Sequence, residues 1–172
     1  MLGGYLLLVE WTRVLAGGVP HAAVGSLVLG GGALALAALG WRPSRLGLGT
    51  SRFAFRVIGG LALGAVLLLP TAVRAAGAPI LPVDLAVAAI AVSIGEELAF
   101  RGALFAALEE LGGASAAVIG TTALWTAAHA LSHPPAFLAV VAAVGLLLGL
   151  WRWACKDLVG PIIAHVIADL AL

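Results

Sequence analysis

The chain has 172 residues, of which 63% are hydrophobic and 10% charged, with a formal net charge of +1 and a mean hydropathy of +1.16. Soluble domains carry about 25% charged residues, so this composition excludes an ordinary soluble domain and places residues 1–172 in lipid as a single membrane domain. The near-neutral charge excludes a basic nucleic-acid-binding surface, the long continuous apolar runs exclude a β-barrel, and the single Cys155 excludes an intramolecular disulfide and a thiolate metal cluster.

The predicted fold class is all-α, a polytopic transmembrane bundle of six or seven helices. Residues 2–18 form a hydrophobic segment interrupted by Glu10 and Arg13, three apart and able to pair on one helix. Two placements stand for this segment, spanning or lying along the interface. Residues 22–39 make a span of about the ~20 residues a bilayer core requires, rich in Gly and Ala that allow close helix contact. Residues 41–56 carry Arg42, Arg45, Arg52 and Arg56 and no acid, which reads as a cytoplasmic loop under the positive-inside bias. Residues 57–73 span again, residues 74–82 turn back, and Asp84 is placed to cap the next helix. That helix runs through Glu96, Glu97 and Arg101 to Glu109 and Glu110, and Gly112-Gly113 breaks it. Residues 115–131 span, Ser132-His133-Pro134-Pro135 turns, and 136–153 return. Arg152, Lys156 and Asp157 form a second cytoplasmic loop, and Gly160-Pro161 opens the last helix. No signal-peptide layout is expected at the N-terminus. Eight Arg against one Lys, with abundant Gly, Ala and Leu, suggests a GC-rich genome and a bacterial inner (cytoplasmic) membrane.

Few titratable groups then remain inside spans: Glu96, Glu97, Arg101, His129, His165 and Asp169. A charge at the centre of a membrane helix costs roughly 2.5–3.5 kcal/mol on insertion scales, so three within six residues require partners or a purpose. Glu97 and Arg101 stand four apart, acid first, the favourable order for a pair on one face. Glu96 lies about 140° round the helix from Arg101, given ~100° per residue, and points toward other helices. Trp125 and His129 share one helix face, as do His165 and Asp169. A bundle that brings these faces to Glu96 makes a small polar cavity with one acid, two imidazoles and a further carboxyl. Such a set supports hydrolysis: a carboxylate and an imidazole activate a water, and a second imidazole stabilises the oxyanion that forms. A proton-coupled carrier is the other class these residues allow, although no inverted repeat of broken helices is visible.

The series Glu96-Glu97-x-x-x-Arg101, then Trp125-x-x-x-His129, then His165-x-x-x-Asp169 resembles the CPBP family. These are the CAAX-processing and bacteriocin-processing intramembrane endopeptidases, with the Rce1-like type II prenyl-protein proteases among them. The similarity covers residues 86–172 and implies a four-helix catalytic core at 84–172, with residues 1–83 as accessory N-terminal helices. It implies that Glu96 and His129 activate the attacking water, that His165 and Asp169 form the oxyanion site, and that Glu97 and Arg101 are a supporting ion pair. Trp125 stands where Phe is usual, in an aromatic packing role. Asp169 stands where Asn is commonest. An ionised Asp cannot donate to an oxyanion, so either Asp169 is protonated or it orients His165 as an acceptor. The family is treated as glutamic-type, so no cofactor is implied. Glu96, His129, His165 and Asp169 are acceptable zinc ligands, but a zinc bound by all four leaves no general base. The implied partners are the lipid bilayer and a membrane-embedded or membrane-proximal polypeptide substrate, with no nucleic acid. In a bacterium this means leader-peptide processing, immunity, or trimming of C-terminal sorting segments. The alternative is a non-proteolytic protein of the same fold, a carrier or an immunity or scaffold protein.

Overall fold

A computed structural model describes residues 1–49, 51–72 and 81–171. They are all helical, with no strand among the described residues: α1 (Leu2–Gly17), α2 (Ala23–Ala35), the one-turn α3 (Pro43–Leu46), α4 (Phe53–Ala72), α5 (Val83–Glu96), α6 (Phe105–Ala128), α7 (Pro135–Cys155) and α8 (Val159–Leu170). Apart from α3, these are seven helices, within the expected number. Most of the turn expected at 74–82 lies outside the described residues.

Large apolar side chains such as Leu29, Ile58, Leu111 and Ile119 are mostly exposed on the outer surface, the arrangement expected where the solvent is hydrocarbon. Among the described residues one helix, α7, is by itself long and apolar enough to cross a membrane, while Ala23–Ala38, Phe53–Leu69 and Val159–Leu170 are shorter apolar helices.

The helix that begins at Val83 is not capped by Asp84. Its N-cap is Pro82, whose fixed φ starts the helix without a side-chain hydrogen bond, and Asp84 sits in the first turn, where its charge complements the helix dipole. The same helix continues past Glu96 as a π-helical segment, Glu97–Leu104, before returning to α geometry in α6. Wider turns of this kind are frequent at functional sites, and no residue pattern announces this one. The expected break is real: Gly113 has φ +74° and ψ −169°, which only glycine adopts freely.

Helix α5 lies along α2, and α4 along α8. The first contact is close because it is made by glycines: a Cβ added to Gly95 would stand 2.2 Å from the Gly31 carbonyl oxygen. Gly95 immediately precedes Glu96, so this approach places α2, and α1 beyond it, beside the acid. The main apolar core joins Leu6 of α1, Leu34 of α2, Phe100 of the π segment, Trp125 and Ala128 of α6, and Val141 of α7.

Three charges of the two expected cytoplasmic loops are buried, although Arg42, Arg45, Arg52 and Lys156 of the same segments are exposed. Arg56 is buried at the start of α4, and Arg152 and Asp157 are buried rather than solvated. Asp157 accepts hydrogen bonds from the Val159 and Gly160 amides and from Trp151 Nε1, at 3.0, 2.9 and 3.1 Å. It caps α8 and faces Arg56 Nε at 3.6 Å. Arg152 donates to the carbonyls of Arg101 and Arg45, at 3.1 and 2.7 Å. Lys156 and Glu109 pair at the exposed rim, as do Arg45 and Glu110.

Candidate active site

Glu96 ends α5 almost fully buried, and its two carboxylate oxygens face different helices. Oε2 accepts the Trp125 indole N–H from α6 at 2.7 Å, and Oε1 accepts from Arg13 Nη2 of α1 at 3.3 Å. Trp125 is therefore a hydrogen-bond donor to the acid as well as the packing aromatic expected. Its rings also meet His129 and His165 edge-on, with centroids 4.6 and 5.5 Å apart.

Glu97, one residue on, faces the other way and binds Arg101 Nη1 at 2.9 Å, both side chains fully buried. This is the local pair the spacing anticipates. The Arg101 guanidinium also lies 4.2 Å over the Trp125 ring, a cation–π contact. What the spacing does not reveal is a second duty of Glu97. Its Oε1 also contacts His165 Nδ1 at 2.9 Å, so Glu97 holds this imidazole at the edge opposite the one that faces Asp169.

The hydrogen-bond partners set the tautomers. His129 Nδ1 lies 2.9 Å from the Trp125 carbonyl oxygen; a carbonyl only accepts, so Nδ1 carries the hydrogen and Nε2 of the neutral ring has a free lone pair. His165 Nδ1 donates to Glu97, so its Nε2 is the free edge. That edge is 4.0 Å from Glu96 Oε2 and 3.5 Å from Asp169 Oδ2, a separation suited to a bridging water or a reacting oxygen. Asp169 is also held by Ser93, whose hydroxyl lies 2.7 Å from Asp169 Oδ2.

These groups line an open pocket of about 330 Å3, with Glu96, His129, His165, Asp169, Arg13 and His133 on its wall and Ala89 and Val92 among its apolar sides. All four residues expected to carry the chemistry are on its wall, drawn from α5, the end of α6, and α8. His133, in the turn before α7, stacks on Phe137 with ring centroids 4.7 Å apart. Burial, and then the neighbouring His129, lower its pKa from the ordinary value.

Arg13 and Ser93 were not anticipated at the site. Arg13 Nη2 also binds Glu10, so the expected pair within α1 forms, but it reaches further, to Glu96. Among the described residues no three His, Cys, Asp or Glu side chains are disposed to hold a metal ion.

No curated protein and no solved structure matches the chain. The family model described as type II CAAX prenyl endopeptidase Rce1-like matches residues 78–171, more than half of the chain and the segment that carries Glu96, His129, His165 and Asp169. The chain therefore belongs to the Rce1-like type II CAAX prenyl endopeptidase family, a family of membrane proteases.

Proposed function

We propose that this protein is an intramembrane endopeptidase of the glutamic type, which hydrolyses a peptide bond of a membrane-embedded or membrane-proximal polypeptide without a metal cofactor. One observation carries the reading: Glu96 of α5, His129 at the end of α6, and His165 and Asp169 of α8 line one pocket with room for a peptide bond and a water.

In this mechanism a water lies between the Glu96 carboxylate and His129 Nε2. As its oxygen attacks the scissile carbonyl carbon, its proton passes to this pair. The oxyanion is received at the free edge of His165, as an imidazolium held at Nδ1 by Glu97 and flanked by Glu96 and Asp169. Collapse of the tetrahedral intermediate breaks the C–N bond, and the proton held by the Glu96–His129 pair goes to the leaving amine. Trp125 and the Glu97–Arg101 pair hold the acid and His165 in place. Asp169, held by Ser93, stands beside His165 Nε2 and stabilises the charge of the imidazolium. Residues 84–172 form the catalytic core and residues 1–83 the accessory helices.

The setting we propose is a bacterial cytoplasmic membrane, and the substrate class is exported or membrane-anchored polypeptides trimmed near a terminal hydrophobic segment. The test is mass spectrometry of protein termini in strains carrying wild-type protein or Glu96→Gln at equal abundance. The reading predicts that at least one membrane-associated polypeptide loses its processed terminus in the variant strain. Identical termini in both strains would favour a non-proteolytic carrier or scaffold.

A further inference from the structure

Arg13 lies on α1, outside the segment that matches the family model, yet it is the cationic side chain in direct contact with Glu96 among the described residues. A single amino group, Nη2, donates to Glu10 Oε2 and to Glu96 Oε1, one N–H for each carboxylate. A pair built only to neutralise Glu10 and Arg13 in a membrane helix would be complete without the second contact. Here the pair is turned inward instead: Glu10 is 1% exposed, and Arg13 lines the cavity. Its stem lies in a slot made by α2, where a Cβ on Gly30 would stand 2.4 Å from Arg13 Cδ. Glu96 is thus gripped from two sides, by Trp125 at Oε2 and by Arg13 at Oε1.

We propose that Arg13, anchored by Glu10 and seated in the Gly30 slot, is a positioning residue that fixes the orientation of the Glu96 carboxylate toward the water it activates. The inference rests on the reading of Glu96 as the general base, and it gives α1 a part in the reaction that the family-matched segment does not supply.

The Trp125 indole N–H reports on the far oxygen of the same carboxylate, so its 1H–15N resonance in 15N-tryptophan-labelled protein in detergent micelles reads the grip directly. Trp125→Phe assigns the peak among the five tryptophans. Glu96→Gln is expected to move it. Arg13→Met, which keeps the stem and removes the charge, should move it too, and Arg13→Lys should return it toward the wild-type position. Gly30→Ala should move it with the charge intact, and carries the test if Arg13→Met fails to accumulate. In cells, the processed fraction of any terminus that depends on Glu96 should fall about tenfold or more in Arg13→Met and recover in part in Arg13→Lys at equal protein level. A Trp125 resonance that moves in Glu96→Gln but stays put in Arg13→Met and Gly30→Ala overturns the proposal. Cleavage that survives Glu96→Gln instead overturns the peptidase reading, and leaves the resonance to decide separately whether Arg13 holds Glu96.

Discussion

Two buried charged networks lie in this bundle, and they differ in how fully they are satisfied. Around Gly47 and the start of α8, Arg56, Arg152 and Asp157 spend their polar atoms on backbone carbonyls and amides. Asp157 caps a helix, and Arg152 ties the π segment to α3. Around Glu96 the charges meet mainly one another and a cavity. The four buried side-chain polar atoms without a protein partner among the described residues, Glu10 Oε1, Arg13 Nε, Glu97 Oε2 and Arg101 Nε, all belong to this second network. Native proteins rarely tolerate such atoms without a role for them. The first network ties helices together through backbone bonds, while the second leaves buried polar atoms unspent behind the pocket that Glu96 and Arg13 line.

Substitutions should separate the two. In the site, Glu96→Gln should reduce cleavage by about a thousandfold, within the range for loss of an acid–base group, while purified protein keeps its wild-type melting temperature within about 2 °C. In the structural network, Asp157→Ala should do the reverse. It removes the α8 cap and strands the Arg56 cation, a loss of about 3–5 kcal/mol for a broken buried pair, seen as poor accumulation and a lower thermal midpoint, with near-normal cleavage per folded molecule. Loss of cleavage at full stability in Asp157→Ala would erase the distinction.

Smaller effects sharpen it. Trp125→Phe keeps an aromatic ring but removes the bond to Glu96 Oε2, and cleavage should fall about ten- to a hundredfold, as for loss of a charge-assisted hydrogen bond of about 1.5–3 kcal/mol. Ser93→Ala frees Asp169 and should cost a factor of about three, equivalent to a net hydrogen bond of about 0.5–1.5 kcal/mol. His133→Gln should change the rate least. Because its pKa is lowered from the ordinary 6.5, His133 is neutral above that pH, gaining its proton only under more acid conditions. The pH profile of the variant should therefore overlay that of the wild type from about pH 7 upward.

The site was legible where charges interrupt apolar runs. Glu96, Glu97, Arg101, His129 and His165 each stand out against a hydrocarbon background, and four-residue spacing gave the Glu97–Arg101 pair directly. The helix count and the break at Gly113 were legible for the same local reasons. Contacts between distant helices were not. Glu10 and Arg13 show the same interruption of an apolar run, but nothing in their spacing says that α1 packs where Arg13 meets Glu96; that depends on Gly30, Gly31 and Gly95 letting three helices close up. The bond from Glu97 to His165 was hidden because the local partner, Arg101, already accounted for the acid. Arg56, Arg152 and Asp157 read as loop charges because hydropathy near a helix end cannot distinguish a charge facing water from one folded back onto carbonyls.

The central claim is that Glu96, His129 and His165 share one hydrated cavity inside an otherwise dry bundle. Hydroxyl-radical footprinting by X-ray radiolysis of the protein in nanodiscs tests this directly, because side chains beside bound water are oxidised fastest. The account predicts rapid labelling of His129 and His165, with Phe105, fully buried beneath Arg152 in the structural network, labelled slowly or not at all. Slow labelling of both histidines, at the rate of Phe105, would contradict it.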